Sequence, residues 1–278
     1  MVAPLGHRSR RALIVTFFVV AMIAAGCGGV ERDDVLVEVT PATPGILTVA
    51  TTLPAPGFWE GEDATIVGGG YEWALARALA DEFDLDLKII DVPFADLMAG
   101  ELEGADMAIA QIEITQERRE VLDFSLPYYV SDFGVLMSAG ETLPDFAAAR
   151  DLRWAVVDGA RQQGFIDDTI RPGEPVHAVD DEVAAAEAIK SGQVDAALVD
   201  LSSALIRAHD DDALGVAAKF VTGDQYAVAL PKDSGNREKV DAALRGFLRD
   251  GTLGILAETW LLPLFSTMPD DVPVIEVG

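Results

Sequence analysis

Few residues in this chain are suited to disulfide, metal or nucleophilic chemistry. Cys27 is the single cysteine among 278 residues, so no disulfide can form within the chain. The three histidines are His7, His177 and His209, and they show neither the spacing of a metal site nor that of a catalytic triad. We therefore expect no metal and no cofactor.

Basic residues are also scarce, and the N-terminal apolar run is short. Lys and Arg number 20 against 47 Asp and Glu, which gives a formal net charge of -27. So acidic a surface repels phosphate backbones and anionic lipid headgroups, which argues against nucleic acid as a partner. The run Ala12–Ala25 is too short to span a bilayer, because a span takes about 20 apolar residues. Half of the residues are nevertheless hydrophobic, enough to build a folded core.

The N-terminal segment has the features of a secretory signal. Arg8, Arg10 and Arg11 precede the apolar run, and small residues follow it up to Cys27, the order typical of signal peptides. A signal that ends in small residues and a cysteine resembles the bacterial lipoprotein signal, in which the cysteine receives a lipid. We therefore predict a signal peptide over 1–26 and a lipid on Cys27. The lipid would anchor the protein outside the cytoplasmic membrane, in the periplasm or at the cell surface. The alternative is an ordinary secretory signal with an incidental cysteine.

Beyond this segment, residues 27–45 lack sustained periodicity and include two prolines, so we interpret them as a linker. Helices are predicted at Glu72–Phe83 and Val240–Leu248, where apolar residues recur at helical spacing. The predicted strands are Ile46–Ala50, Leu87–Ile90, Asp106–Ala110, Trp154–Val157, Asp195–Val199 and Tyr226–Leu230. Alternation of this kind predicts an α/β fold.

Two similar segments, Leu102–Ile109 and Lys190–Leu198, occur one in each half of the chain. Each has the pattern of a helix that ends at a glycine, followed by a turn and an apolar strand led by aspartate. Such a pair is expected if two similar lobes face one another. Open α/β sheets bind ligands beyond the carboxyl ends of their strands. The segments after these strands, Gln111–Thr115 and Asp200–Ser202, are therefore the candidates for the functional site.

An ordered set of motifs resembles the family-3 extracellular solute-binding proteins, which are the amino-acid receptors of ABC importers. The motifs are Gly70–Ala76, Val92–Phe94, Ile112–Arg119, Asp123–Tyr129, Ala229–Lys232 and Asp250–Leu253. The resemblance extends over about Ile46–Leu264, and the ordered set is far more specific than any one motif.

This resemblance implies a two-lobed fold of the type II periplasmic binding proteins, in which two α/β domains joined by a two-strand hinge close on a ligand. The hinge strands are expected near 133–138 and 225–230. The implied partners are a small amino-acid-like ligand and an ABC permease in the membrane, and a monomer is expected. The implied boundaries are 46–132 with 226–264 for lobe 1, 133–225 for lobe 2, and 265–278 for a C-terminal tail.

The resemblance also assigns the two ends of a zwitterionic ligand. Arg118 matches the arginine that holds the ligand α-carboxylate, and a guanidinium presents a rigid fork of donors to two carboxylate oxygens. The alternative is a surface arginine paired with Glu117 or Glu120. Asp200 matches the carboxylate that receives the ligand ammonium, and the alternative is an N-cap for the following helix. A ligand gripped from opposite lobes would itself favour closure.

Further candidates come from two other segments. Phe58 and Trp59 follow the first strand, where the family commonly has aromatic residues that wall the side-chain pocket; the alternative is a lid over the core. The residues from Ala160 onward open a predicted helix, and the matching family segment offers backbone N–H groups to the carboxylate. The family's hydroxyl residue is missing there. Arg161 is expected either to add a positive charge at the cleft or to point to solvent, and Gln162 is a further candidate ligand-binding residue.

Glu113 departs from the family, which usually has Ser or Thr near the ligand carboxylate. A glutamate would repel that carboxylate unless it pairs with Arg161 or with a cationic part of the ligand. Its pKa is expected to rise if a closed cleft excludes water. Gln111, two residues earlier, is predicted to contribute amide hydrogen bonds.

The leading function is therefore a lipid-anchored receptor that captures an amino acid or a related small polar solute and delivers it to a permease, without covalent chemistry. The alternative is a dehydratase-like enzyme on the same fold that uses Glu113 as a cleft carboxylate. A third class, a sensor or a fused lytic enzyme, would need a further domain, and none is expected after Gly278.

Overall fold

The computed structural model of the protein describes residues 39–277. The predicted signal peptide, Cys27 and residues 28–38 lie outside the described residues. Within the described range the strands are β1 (Ile46–Thr51), β2 (Asp86–Asp91), β3 (Met107–Ala108), β4 (Leu122–Ser138), β5 (Trp154–Val157), β6 (His177–Val179), β7 (Ala196–Asp200) and β8 (Leu214–Pro231). The α-helices are α1 (Tyr71–Glu82), α2 (Phe94–Met98), α3 (Phe146–Ala149), α4 (Arg161–Phe165), α5 (Glu182–Lys190), α6 (Leu201–Asp210), α7 (Arg237–Asp250) and α8 (Thr252–Trp260).

These strands form one sheet in the order β2-β1-β3-β8-β4-β7-β5-β6. β1 is parallel to β2 and β3, and β5 is parallel to β6 and β7. The long central strands β4 and β8 pair antiparallel, with register shifts near Pro127 and Ser131 of the kind that bend and twist a strand pair. Two strands therefore connect two α/β halves, as predicted. They are longer than the predicted hinge because each also pairs within both halves.

The hydrophobic core has separate clusters in the two halves. In the first half, α1, α7 and α8 bury Leu75, Leu244 and Leu253 respectively, together with residues of β1 and β3. In the second half, Trp154 and Phe220 pack among residues of β4, β5, β7 and β8. Each half thus buries its own apolar helix faces, and β4 and β8 contribute to both.

Both predicted helices are present, as α1 and α7. In α1 the buried positions include Leu75 and Leu79, the residues whose spacing predicted the helix. α7 buries Val240, Ala243, Leu244 and Phe247. Its C-terminus is set by a glycine with φ of 83°, a left-handed conformation that glycine adopts without steric cost.

Both ends of the described chain contact the folded body. In the segment predicted as a linker, the Thr40 N–H donates to Asn236 Oδ1 at 3.0 Å, and the Ala42 N–H donates to Asp106 Oδ1 at 2.6 Å. In the predicted tail, the Ile275 N–H donates to the Lys219 carbonyl at 2.9 Å. Between residues 39 and 277, no helix combines the length and the apolar composition that crossing a membrane requires.

Candidate ligand-binding site

A cavity of about 390 Å³ lies where β1, β3, β5 and β7 end. Its lining includes Thr52 after β1, Gln111 after β3, Val157 at the end of β5 and Asp200 at the end of β7. The two segments predicted from the strand-end rule therefore line the same cavity. Its volume lies within the range of about 300–1,000 Å³ typical of small-molecule sites.

Backbone pairing with β8 fixes the position of Glu113 in the lining of this cavity. The Ile114 N–H donates to the Gln225 carbonyl at 3.0 Å, and the Ala227 N–H donates to the Ile112 carbonyl at 3.0 Å. The segment that follows β3 thus remains paired with the central strand β8 through backbone hydrogen bonds. Glu113 is held with only 6% of its surface exposed, and its side chain lines the cavity.

Arg118 contacts Glu113 from a short 3-10 turn. The turn, Arg118–Glu120, begins where Thr115 Oγ1 accepts from the Arg118 backbone N–H at 3.1 Å. Arg118 Nη1 then donates to the Glu113 carbonyl at 3.0 Å and lies 3.4 Å from Glu113 Oε2. Among the described residues Arg118 pairs with this carboxylate rather than with Glu117 or Glu120, the partners that the surface alternative required.

Arg161 approaches the same carboxylate from the other half of the molecule. It is the first residue of α4, and its Nε lies 3.7 Å from Glu113 Oε2. Its Nη2 forms an ion pair with the buried Asp224, and its guanidinium lies 5.3 Å from the centroid of the Phe133 ring. Glu113 is thus placed between two guanidinium groups, and Arg161 lies at the cavity rather than away from it.

One oxygen of Glu113 is left without a protein donor. Oε2 faces Arg118 and Arg161, whereas Oε1 is buried with no hydrogen-bond partner among the described residues. Burial raises the pKa of Glu113; the charges of Arg118 and Arg161 oppose that rise, and the nearby Asp224 carboxylate adds to it. The raised pKa follows from the low exposure of the group.

Asp200 and Gln162 meet across the cavity from Glu113. Asp200 occupies the N-cap position of α6, yet its side chain makes no capping hydrogen bond; instead Gln162 Nε2 donates to Asp200 Oδ1 at 3.3 Å. Burial raises the pKa of Asp200 well above its usual range, and the charge of Glu113 raises it further. The helix-cap alternative therefore does not describe this carboxylate, which is directed at the cavity residues.

Gln111 is held by a residue for which the sequence predicted no role. It has a φ of 52°, which is uncommon for a residue with a side chain, and its backbone N–H donates to Glu72 Oε1 at 2.7 Å. The fully buried Glu72 also accepts from Trp59 Nε1 at 2.7 Å and from the Tyr128 hydroxyl. The sequence did contain a signal for Glu72: it lies three residues before Leu75, on the face of the predicted helix that is buried, and a charged residue at such a position needs hydrogen-bond partners.

Phe58 and Trp59 lie in the hydrophobic core and not among the residues that line the cavity. Each is 1% exposed, and Phe58 packs edge-on against Tyr71 and Tyr129. The wall next to them is formed instead by Pro54, Ala55 and Pro56. Trp59 turns inward because its Nε1 finds an acceptor, Glu72, in the core, where a buried N–H requires a partner.

Two further charged contacts at the site escaped prediction, namely the Arg161–Asp224 pair and a rim pair between Arg207 Nε and Glu182 Oε2 at 3.6 Å. Each pair joins residues that are distant in sequence, so no local sequence pattern predicts it. Within residues 39–277 no cluster of three or more His, Cys, Asp or Glu is arranged to hold a metal.

Comparison with known proteins identifies the class to which this fold and cavity belong. Over residues 47–263 the chain matches the bacterial extracellular solute-binding proteins, family 3. That span is more than half of the chain, so the protein belongs to this family.

Individual relatives agree with the family match. The L-cystine-binding protein TcyJ of Escherichia coli K12 is 26% identical over 262 residues, which cover 92% of this chain and 97% of that protein. An amino acid ABC transporter substrate-binding protein from Streptococcus pneumoniae, solved with L-arginine bound, is 26% identical with a TM-score of 0.67, covering 79% of this chain and 93% of its own.

An ancestral amino-acid-binding protein described as a precursor of cyclohexadienyl dehydratase has a TM-score of 0.68 at 22% identity, over 78% of this chain and 95% of its own. At that identity the likeness concerns the fold alone. Together these similarities confirm the predicted two-lobed type II fold.

Proposed function

We propose that this protein is the solute-binding component of an ABC importer and captures an amino acid or a related small polar solute. The observation that carries the proposal is the cavity at the strand ends, where charged groups of both α/β halves converge. Membership of the family supports it. So do the functions of two relatives, one of which is an L-cystine-binding protein and the other of which was solved with L-arginine bound.

The cavity groups suit the two ends of a zwitterion. Asp200 receives the ammonium, since its carboxylate accepts from the neutral Gln162 amide and forms no ion pair among the described residues. Arg118 donates to the α-carboxylate of the ligand. Its Nη1 is already engaged by Glu113, whereas its Nε and Nη2 have no hydrogen-bond partner among the described residues. Charge-assisted hydrogen bonds of this kind are about twice as strong as neutral ones. Because the two residues lie on different halves of the chain, a ligand that contacts both stabilises their approach.

Closure then occurs about β4 and β8. The moving parts are lobe 1, residues 46–132 with 226–264, and lobe 2, residues 133–225. Register shifts near Pro127 and Ser131 divide the β4–β8 ladder, and such irregular positions are where a strand pair bends. Hinge closure around a ligand is the motion of periplasmic binding proteins in general.

The remaining components of this proposal concern the location of the protein. A lipid on Cys27 tethers a monomeric receptor to the outer side of the cytoplasmic membrane, where it meets an ABC permease. The tether holds the receptor near its partner and thereby raises the effective concentration of one for the other.

Isothermal titration calorimetry with a panel of amino acids tests this function. We expect one ligand to bind in a 1:1 ratio and Arg118→Ala to weaken that binding by about 100-fold, the scale of a lost charge-assisted pair. Arg119→Ala is the matched control, because Arg119 is the exposed neighbour that lies over the Phe124 ring outside the cavity. Equal affinities of Arg118→Ala and wild type would contradict the proposed carboxylate contact.

The enzyme alternative rests on one observation, the buried Glu113 carboxyl with its raised pKa, which is a property of general acids. As a binding protein, the chain should return its ligand chemically unchanged after prolonged incubation at catalytic amounts. Mass spectrometry of the recovered ligand, and of a prephenate-like acid incubated in parallel, distinguishes the two. A product that accumulates over many turnovers and disappears in Glu113→Gln would establish the enzyme instead.

A further inference from the structure

The cationic side chains of the cavity are already paired with carboxylates of the protein. Arg118 and Arg161 both face Glu113, at 3.4 and 3.7 Å, and Arg161 also pairs with Asp224. The third arginine of the lining, Arg207, lies 3.6 Å from a glutamate of α5. A ligand carboxylate that enters this cavity must therefore compete with groups that are already in place.

Several carboxylates of the lining have no cationic partner among the described residues. The lining contains six carboxylates against three guanidinium groups, an excess of three negative charges when all are ionised. Asp200 accepts from the Gln162 amide and forms no ion pair among the described residues. At the rim, Asp180 and Asp210 make no ion pair within the described part of the chain. The charge that is left for a ligand to neutralise is thus negative.

Glu113 provides a hydrogen-bond acceptor within this negatively charged cavity. Glu113 lines the cavity. Its Oε1 is buried and accepts no hydrogen bond from the described residues, while its Oε2 faces the two arginines. A buried carboxylate oxygen without a donor is costly, and a ligand N–H would relieve that cost. A neutral or anionic ligand group relieves it less, because a hydrogen bond between charged partners is the stronger one.

From these contacts we propose that the cavity selects a solute with net positive charge, whose ammonium or guanidinium group donates to the Glu113 carboxylate, and that Glu113 is the residue that determines this selection. The proposal rests on the proposed binding function and names the class of its ligand. Asp200 reinforces it: Asp200 takes the α-ammonium, and the negative charge of Glu113, which raises the pKa of Asp200, leaves a second cationic group of the ligand to be accommodated beside Glu113.

Calorimetry with pairs of similar shape and different charge tests the ligand class. L-arginine is compared with the neutral L-citrulline, and L-lysine with L-norleucine; L-cystine, L-glutamine and L-glutamate complete the panel with putrescine. We expect a cation to bind most tightly and its neutral counterpart to bind at least about tenfold more weakly. A neutral or acidic ligand that binds most tightly would overturn the cation assignment and leave the binding function intact. A panel without any binder would overturn both.

Variants of Glu113 test the residue. Glu113→Gln should reduce the ratio of cation to neutral affinity by about tenfold, because it removes the charge and keeps the shape. Glu117→Gln, at an exposed position outside the cavity, is the matched control and should leave the ratio unchanged. Glu113→Thr gives a second measurement of the ratio if the first variant is poorly folded by circular dichroism. An unaltered ratio in a folded Glu113 variant would overturn the assignment.

Discussion

Glu72 offers a prediction about stability whose sign and size can be worked out. Its carboxyl is fully buried at the start of α1 and accepts from Trp59 Nε1, the Gln111 N–H and the Tyr128 hydroxyl. Burial raises the pKa of Glu72 from an ordinary 4.5 to about 7, and the three donors only partly offset the effect of burial. The folded protein therefore binds this proton more tightly than the unfolded chain does.

The sign of the pH dependence follows from that difference. Because the pKa is higher in the folded state, the stability that Glu72 contributes is fully present below pH 4.5 and is lost as the pH rises through about 7. The loss amounts to about 3 kcal/mol, the free-energy equivalent of the gap between the two pKa values. Glutamine at this position does not titrate, so Glu72→Gln should lack this part of the pH dependence.

Urea unfolding followed by circular dichroism at about pH 5, 6, 7 and 8 measures the effect. The free energy of unfolding of wild type should fall by about 2.5 kcal/mol relative to Glu72→Gln across this range, because part of the loss occurs below pH 5. Other buried carboxyls with raised pKa values, such as Glu113, act on both proteins alike and cancel in the difference. Glu82→Gln, at the exposed end of the same helix, controls for the loss of one carboxylate. A difference that stays constant from pH 5 to 8 would refute the reasoning.

Two further predictions concern the anchor and the entry to α1. Cys27→Ser should move the protein from the membrane fraction to the soluble fraction, and a variant that still sediments with membranes would contradict lipidation. Gly70→Ala should destabilise the fold by about 3 kcal/mol or more, because Gly70 has a φ of 101° and an added Cβ would overlap the Phe58 carbonyl. Gly104→Ala, at a φ of 79° with nothing within 4 Å, should cost only about 1 kcal/mol in urea unfolding. Equal losses in the two glycine variants would argue against the steric explanation.

Local pattern was sufficient to predict most elements of the fold. The spacing of Leu75 and Leu79 located α1 to within one residue, because a helix must turn its apolar side chains to one face. The strand predicted at Asp106–Ala110 is confined to Met107–Ala108. The extent of β4 and β8 escaped prediction, since their length depends on pairing partners in both halves.

The strand-end rule also located the site segments. Gln111, Glu113 and Asp200 line one cavity because the strands before them end at the same side of the sheet. What the rule does not supply is the direction of each side chain. Phe58 and Trp59 closely follow residues that line the cavity in the sequence, but their side chains point into the core. There Glu72 accepts a hydrogen bond from the indole N–H of Trp59.

The sequence by itself determined the family, the alternation of strands and helices, and the segments that meet at the ligand site, because these depend on periodicity and on motifs read along the chain. Only the tertiary structure decided which charges pair. Arg161 lies 63 residues from its partner Asp224, and both guanidinium groups converge on Glu113 only because β8 holds that residue between the halves. Pair energies depend on distance and burial, which the order of residues does not specify. The charge left over for a ligand is therefore a property of the folded cavity.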